Sequence, residues 1–352
     1  MIRTLAAVLL SVTLVAGVFA QKKKNKTDEE PPTQVLPPLP DPPDAVAAEI
    51  ARLSFQVSPL SNKGLLTQQV RDALKALLRD NHGAQIVKLR AFVAGSGDLR
   101  RVQTIMVEEF TERKLALPAL STIQVGALPL TGAQVVIEAT QLERREVNPY
   151  GVEFYSALSA TDGASAVEAL LAKPRRLKGR LIDFEMVSVT CYLSSLDNAA
   201  SMRAAAVSAF PRAAIDILQT QRQSLEPFAA CEGVARLKYT ENLQKEPFGF
   251  DYYVGRRIIL TGTKLVFRDE DADIRLALQR LEKAIAPLGA TSNDVFWMGV
   301  YPLTRPVAAK IGNLRKEFVK SPHELDEPSQ VLFEGLPSTD ATAAIEIMAA
   351  VP

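Results

Sequence analysis

Three carboxylates recur at matching places in this 352-residue chain: Glu138, Glu232 and Glu346, each near the end of an apolar segment. A carboxylate there either holds a ligand or a water, or is itself held by backbone amides or a neighbouring Lys or Arg for structural reasons. Other groups able to do chemistry are few. With 2 His and 2 Cys there are too few soft ligands for a zinc or iron–sulfur centre, so neither a metal nor a cofactor is expected. His82 and His323 fall in loops and lack the partners of a catalytic triad. Cys191 and Cys231 lie on expected strands, either as a disulfide or as two small buried hydrophobes. The run Ala94-Gly95-Ser96-Gly97-Asp98 lacks the Lys and spacing of a phosphate loop. It reads as a strand-to-helix turn with Asp98 as N-cap. Trp297 reads as packing on a core strand. A net charge of +1, with no basic stripe interleaved with aromatics, excludes any compositional case for a nucleic-acid partner.

The elements that must position the glutamates also recur, in the order helix, strand, helix, strand, strand, from about residue 50. In the first copy Leu66, Val70, Leu74, Leu77 and Leu78 form a helical stripe ended by Gly83. A strand over 86–94 follows, then a second stripe of Leu99, Val102, Met106 and Phe110, then strands over 120–125 and 134–140. The second copy reads as strand 152–158, helix 164–172, strand 186–193, helix 196–210, and strands 213–219 and 228–235. The third opens with hairpin-like alternation over 257–267 around Gly262. It continues with a helix through Ile274, Leu278, Leu281, Ile285 and Leu288, a strand over 295–301 and a helix through Val307, Ile311, Leu314 and Phe318. Strands over 331–333 and 343–349 close it. One-faced helices and apolar strands predict α+β units, each a mixed sheet with helices on one face. The expected boundaries are 50–145, 146–238 and 239–352.

The closing segments resemble those of the RidA/YjgF family, which run roughly Pro-Ala-Arg-Ser-x-Val, a Leu-Pro turn, then Val-x-Ile-Glu-Ala. The first copy has Pro118-Ala119-Leu120-Ser121-Thr122-Ile123, Leu128-Pro129 and Val135-Val136-Ile137-Glu138-Ala139. The third has Pro328-Ser329-Gln330-Val331, Leu336-Pro337 and Ala344-Ile345-Glu346. The second has Phe210-Pro211-Arg212-Ala213 and ends Ala230-Cys231-Glu232-Gly233. The resemblance implies a chorismate-mutase-like fold in three tandem copies. Family members are usually homotrimers with pockets between subunits, so it also implies a single-chain pseudo-trimer that is monomeric in solution. Active members hydrolyse enamines and imines. An arginine binds the substrate carboxylate and a glutamate on the last strand positions or activates a water. The glutamate matches at Glu138, Glu232 and Glu346. The arginine does not: Leu120, Ala213 and Gln330 stand in its place, or Pro328 in the third copy if the Leu-Pro turns are aligned. Arg212 is one residue off, which points it to the other strand face. Arg222 matches no family position. The resemblance therefore implies a non-catalytic protein that binds a small molecule or partner in interdomain clefts. The alternative is a diverged imine/enamine deaminase or other hydrolase with a rewired anchor.

The first 20 residues read as a cleaved signal peptide: Arg3, an apolar run from Leu5 to Val18, and Val18-Phe19-Ala20 before Gln21. A membrane anchor is the competing reading. Residues 21–49 carry Lys22, Lys23, Lys24 and Lys26 and then seven prolines between Pro31 and Pro43. Proline blocks helix, so a disordered spacer is expected, with a possible envelope partner. Periplasmic or secreted location follows from this reading.

Overall fold

The computed structural model describes residues 38–160, 162–172, 184–224, 226–238, 252–253, 256–319 and 331–351. The signal segment, most of the spacer, His323, Pro328 and Gln330 lie outside the described residues. In chain order the elements are β1 (Ala45–Glu49), β2 (Leu53–Val57), α1 (Leu66–Asp80), β3 (Gln85–Ala94), α2 (Leu99–Glu112), β4 (Ala119–Val125) and β5 (Val135–Leu142). Next come β6 (Val152–Ala160), α3 (Gly163–Ala172), β7 (Phe184–Leu193), α4 (Ala199–Ala209), β8 (Ala214–Gln219) and β9 (Ala229–Leu237). The last group is β10 (Tyr252–Tyr253), β11 (Arg257–Thr261), β12 (Lys264–Phe267), α5 (Asp271–Ile285), β13 (Val295–Pro302), α6 (Arg305–Phe318) and β14 (Ala341–Ala350).

The expected stripes make these helices. In α1 the residues Val70, Ala73, Leu74 and Leu77 are buried, and in α2 so are Val102, Ile105, Met106 and Phe110. Both stripes pack on the outer face of β3 and β5, through Leu89, Ala91, Ile137 and Ala139, in one apolar cluster. Asp98 caps α2, accepting from the Arg100 and Arg101 amides at 3.0 and 3.3 Å. Equivalent clusters lie under α3 and α4 and under α5 and α6. Each fully buried Leu or Ile contributes about 1.5–3 kcal/mol.

The fold is α+β, with three sheets of related plan: the first two are mixed, and the third is antiparallel throughout its described strands. Sheet one runs β2-β5-β3-β4, sheet two β10-β6-β9-β7-β8, and sheet three β1-β11-β14-β13 with β12 continuing β11 along β14. In the first two sheets the middle strand pairs antiparallel with the glutamate strand and parallel with the strand before it. Register exposes the repeat at single-residue level. The middle strands set Arg90 opposite Glu138, Thr190 opposite Glu232 and Gly299 opposite Glu346. Each middle strand also shifts register at one equivalent point: between Ile86 and Lys88, Met186 and Ser188, and Val295 and Trp297. A bulge turns a strand locally, and its recurrence at one site marks a shared design.

Four expectations change. Residues 45–49, inside the expected spacer, form β1, which pairs antiparallel with β11 in the third sheet. Residues 257–267 are not a hairpin: β11 and β12 both pair with β14, a single strand interrupted at Gly262-Thr263. A Cβ at Gly262 would lie 2.6 Å from the Leu120 carbonyl oxygen, so only glycine allows the third unit this close to β4. Residues 331–333 form no strand. Phe333 bonds the Pro302 carbonyl, and Gly335 bridges to Gln124 of the first unit. Finally, α4 begins at Ala199 rather than residue 196.

Inner sheet faces meet at a common centre. One cluster joins Phe92 and Val136 to Tyr192 and Leu218 and to Tyr301, Phe333 and Ala344. Another joins Leu53 and Val87 to Phe154 and Val234 and to Ile258, Phe296 and Trp297. Each draws on all three units.

Candidate functional site

Between these apolar clusters lies a layer of charge. The three register-equivalent glutamates converge there on a residue absent from the sequence reading, Arg90. Its Nε donates to Glu138 Oε2 at 2.6 Å, its Nη2 to Glu232 Oε1 at 2.5 Å and its Nη1 to the Tyr301 hydroxyl at 3.0 Å. Glu346 Oε1 is 3.9 Å from Nη1. A planar guanidinium with a fixed fork of donors is suited to bridging several acceptors at once. The side chain of Arg90 is 12% exposed, and it lies 5.2 Å from the Phe92 ring centroid, within cation–π reach.

Lys88, two residues earlier on the same strand face, forms the second buried pair. Its ammonium lies 2.5 Å from Glu346 Oε2 and also donates to Ser121 Oγ at 3.2 Å and to the Thr261 carbonyl. Tyr301 donates to Glu346 Oε1 at 2.6 Å, Tyr192 to Glu232 Oε1 at 2.9 Å and Thr190 to Glu138 Oε1 at 2.5 Å. Two residues further along the strands, the Tyr192 and Tyr301 rings meet Phe333 edge to face at centroid separations of 5.7 and 5.1 Å, and Phe92 meets Tyr192 at 6.2 Å. The layering follows from period-2 alternation in three equivalent strands.

Burial and charge set the ionisation. Burial works against the Arg90 charge, but Glu138 and Glu232 outweigh it and hold its pKa well above the ordinary value. Burial raises the Glu346 carboxyl, yet Lys88 and Arg90 more than reverse this and leave it below the ordinary range. Burial pushes the Lys88 ammonium down against the pull of Glu346. It pushes Glu232 up, with the Glu138 charge adding and Arg90 opposing. Both Tyr192 and Tyr301 are raised well above the usual phenol value by burial and stay protonated donors. Asp216, on β8 with its side chain buried, is pushed up to about 8 by burial and by the Glu138 charge. Its Oδ1 accepts from the Ile217 amide at 2.9 Å and its Oδ2 has no partner.

The structure thus brings Glu138, Glu232 and Glu346 together at one centre rather than at three separate clefts. At the family arginine's place it leaves apolar residues. Leu89 pairs with Leu120, and the equivalent Val189 pairs with Ile215. The second unit's match is therefore Ile215, two residues beyond Ala213. Arg212 is exposed and pairs with Glu185 at 3.4 Å, while Arg222 pairs with Glu334 at 3.8 Å. Neither enters the centre. Cys191 and Cys231 stand opposite each other on β7 and β9 and form a buried disulfide. Lys88 and Arg90 did leave a trace in the sequence: two cations two residues apart in an otherwise apolar strand, on the same face as Phe92.

Beside the charge layer is a cavity of about 70 Å³, reaching Lys88, Arg90 and all three glutamates and walled by Phe55, Phe154 and Trp297. Trp297, read as core packing, is 6% exposed and forms part of this wall. Such a volume admits only a few heavy atoms.

The family model described as endoribonuclease L-PSP matches residues 60–142. Solved structures similar to the chain include the YjgF gene product of E. coli, 26% identical, covering 29% of this chain and 94% of that one, with a TM-score of 0.22. A YjgF-family protein of Mycobacterium tuberculosis is 21% identical over 28% of this chain and 86% of its own, with a TM-score of 0.25. A chorismatase aligns over 86% of this chain and 99% of its own, at 12% identity and a TM-score of 0.25. No curated protein sequence matches the chain.

Proposed function

We propose that the chain, whose first unit matches the endoribonuclease L-PSP family model over residues 60–142, is an exported, non-catalytic member of the RidA/YjgF family, a single-chain counterpart of a trimer that binds a small molecule at the centre of its three units. One observation carries the reading. The only guanidinium among the glutamates in the described residues, Arg90, donates to Glu138, Glu232, Thr190 and Tyr301. It has no free fork for a substrate carboxylate, and Leu120 and Ile215 supply none. Loss of a charged hydrogen bond to the substrate removes about 1.5–3 kcal/mol of binding, and positioning goes with it. The glutamates act here as counter-ions to Arg90 and Lys88.

The test is keto-acid release from freshly generated imino acids, run beside a trimeric family member. Turnover more than tenfold below that control is expected. Activity within tenfold, abolished by Glu138→Gln, would overturn the reading.

A rewired hydrolase is the second reading, supported by Asp216. Its buried carboxyl, pushed up to about 8 by burial and by Glu138, would hold a proton at neutral pH, with its unpartnered oxygen sealed from solvent, so it would act only after a local opening. In the same assay this reading requires activity that Asp216→Asn removes.

Export rests on the N-terminal sequence and is supported by the Cys191–Cys231 disulfide, which suits an oxidising compartment. Mature protein beginning at Gln21 is the expected result of N-terminal sequencing. An intact Met1 on a membrane-bound form would overturn it.

A further inference from the structure

The charge layer does not balance. Lys88 and Arg90 face Glu138, Glu232 and Glu346, which leaves one carboxylate without a cation. Excess charge away from water is neutralised by a proton or by a counter-ion. The hydrogen bonds locate the excess. Both oxygens of Glu138 accept, from Arg90 and Thr190, and both of Glu346 accept, from Lys88, Ser121 and Tyr301. At Glu232, Oε1 takes both donors, Arg90 and Tyr192, and Oε2 takes none among the described residues. Oε2 is also absent from the sealed, unpartnered atoms, so it is reached from the cavity, which the largely buried side chain, 13% exposed, lines.

The cavity wall completes a site. Ser188 and Thr140 line it, and their hydroxyls make no hydrogen bond among the described residues. Phe55, Phe154 and Trp297 line it too, and the two cations that reach it, Lys88 and Arg90, are each already paired with a glutamate. A single open carboxylate oxygen, hydroxyl acceptors and aromatic rings in about 70 Å³ suit a compact cation with N–H donors. Ammonium groups are attracted to aromatic faces as well as to carboxylates. A hard metal ion demands a shell of several oxygen ligands. Among the described residues no group of three or more His, Cys, Asp or Glu is arranged to hold one. An anionic ligand would meet the excess carboxylate.

We propose that the central cavity binds a small ammonium-type cation, ammonium itself or a primary amine of methylammonium size, with Glu232 as its counter-ion. The proposal rests on the ligand-binding reading above and narrows it to one chemical class. The two fail separately. A chain that binds methylammonium and also hydrolyses imino acids fails only the non-catalytic reading; an inactive chain indifferent to amines fails only this one.

The experiment is thermal unfolding of the full chain at pH 7.5 and fixed ionic strength, with NaCl replaced stepwise by methylammonium chloride. Tetramethylammonium chloride is the size control. A saturable rise in Tm with methylammonium, absent with tetramethylammonium, is expected. Glu232→Gln should raise the half-saturating concentration at least tenfold. Ser188→Leu, which fills the cavity without touching an ion pair, should abolish the rise even if Glu232→Gln fails to fold. Equal Tm values in the two salts, or a rise that survives Ser188→Leu, would overturn the proposal and leave the Glu232 charge to a proton.

Discussion

Arg90 joins Glu138 of its own sheet, Glu232 of the second unit and Tyr301 of the third. Removing it strands at least two buried carboxylates. Arg90→Met should therefore cost about 3–5 kcal/mol in urea unfolding at neutral pH, the range for breaking a buried pair by deleting one partner. Arg90→Lys should recover only part, since an ammonium cannot reproduce the fork. Asp216 gives a prediction of opposite sign. Its carboxyl is pushed from an ordinary 3.8 up to about 8 in the folded chain. Between those values the folded state keeps a proton that the unfolded chain releases, so this group's contribution to stability falls as pH rises, and the loss is complete above about 8. Arg90 and Arg203 oppose the shift and Glu138 adds to it. Asp216→Asn should leave Tm little changed near pH 4 and raise it by pH 8. The gain should be on the order of a few kcal/mol, from about 1.4 kcal/mol per unit of displacement. A flat difference between the two proteins across that range would contradict the assignment. These residues show where the sequence stops being legible. The glutamates stood out because they recur at the ends of like strands. Arg90 and Lys88 did not, because they occur in one copy only and their partners Glu232 and Glu346 lie 142 and 258 residues away.

At the scale of elements, periodicity served well wherever one face alone is buried. The stripes of α1, α2, α5 and α6 fall on the observed helices, and the middle strands appear within one or two residues of expectation. It served poorly where an element meets another unit. Gly262 looked like a turn; it is a point of close approach, with the Thr263 amide bonded to the Leu120 carbonyl at 3.2 Å. Gly262→Val should therefore destabilise by about 1–3 kcal/mol, as overpacking does, although the position lies between two strands where a turn glycine would be dispensable. The measurement is a denaturant midpoint with unchanged slope. The disulfide joins neighbouring strands across a separation of 40 residues. Replacing both Cys191 and Cys231 by Ala should cost about 2–4 kcal/mol, and wild type under strong reductant should approach the double variant.

For the molecule as a whole, the three units are not beads. Their inner faces make two shared apolar clusters with the charge layer between them, so single, cooperative unfolding is expected and a monomer should be seen by light scattering. β1 ties the arrangement shut, because the first described strand pairs with β11 in the last sheet. β11 in turn pairs with β14, the final element. The start of β1 and the end of β14 are therefore two strand spacings apart across β11 and about three residues apart along it, on the order of 15 Å. Seen this way the described fold is nearly a closed ring, its first and last strands held by one common neighbour. A circular permutant that links residue 351 to residue 45 through a short glycine-serine bridge, with new ends in the 143–151 connection, should keep all three sheets and the central charge layer. It should unfold within a few degrees of the parent, whereas the same cut made without the bridge should not.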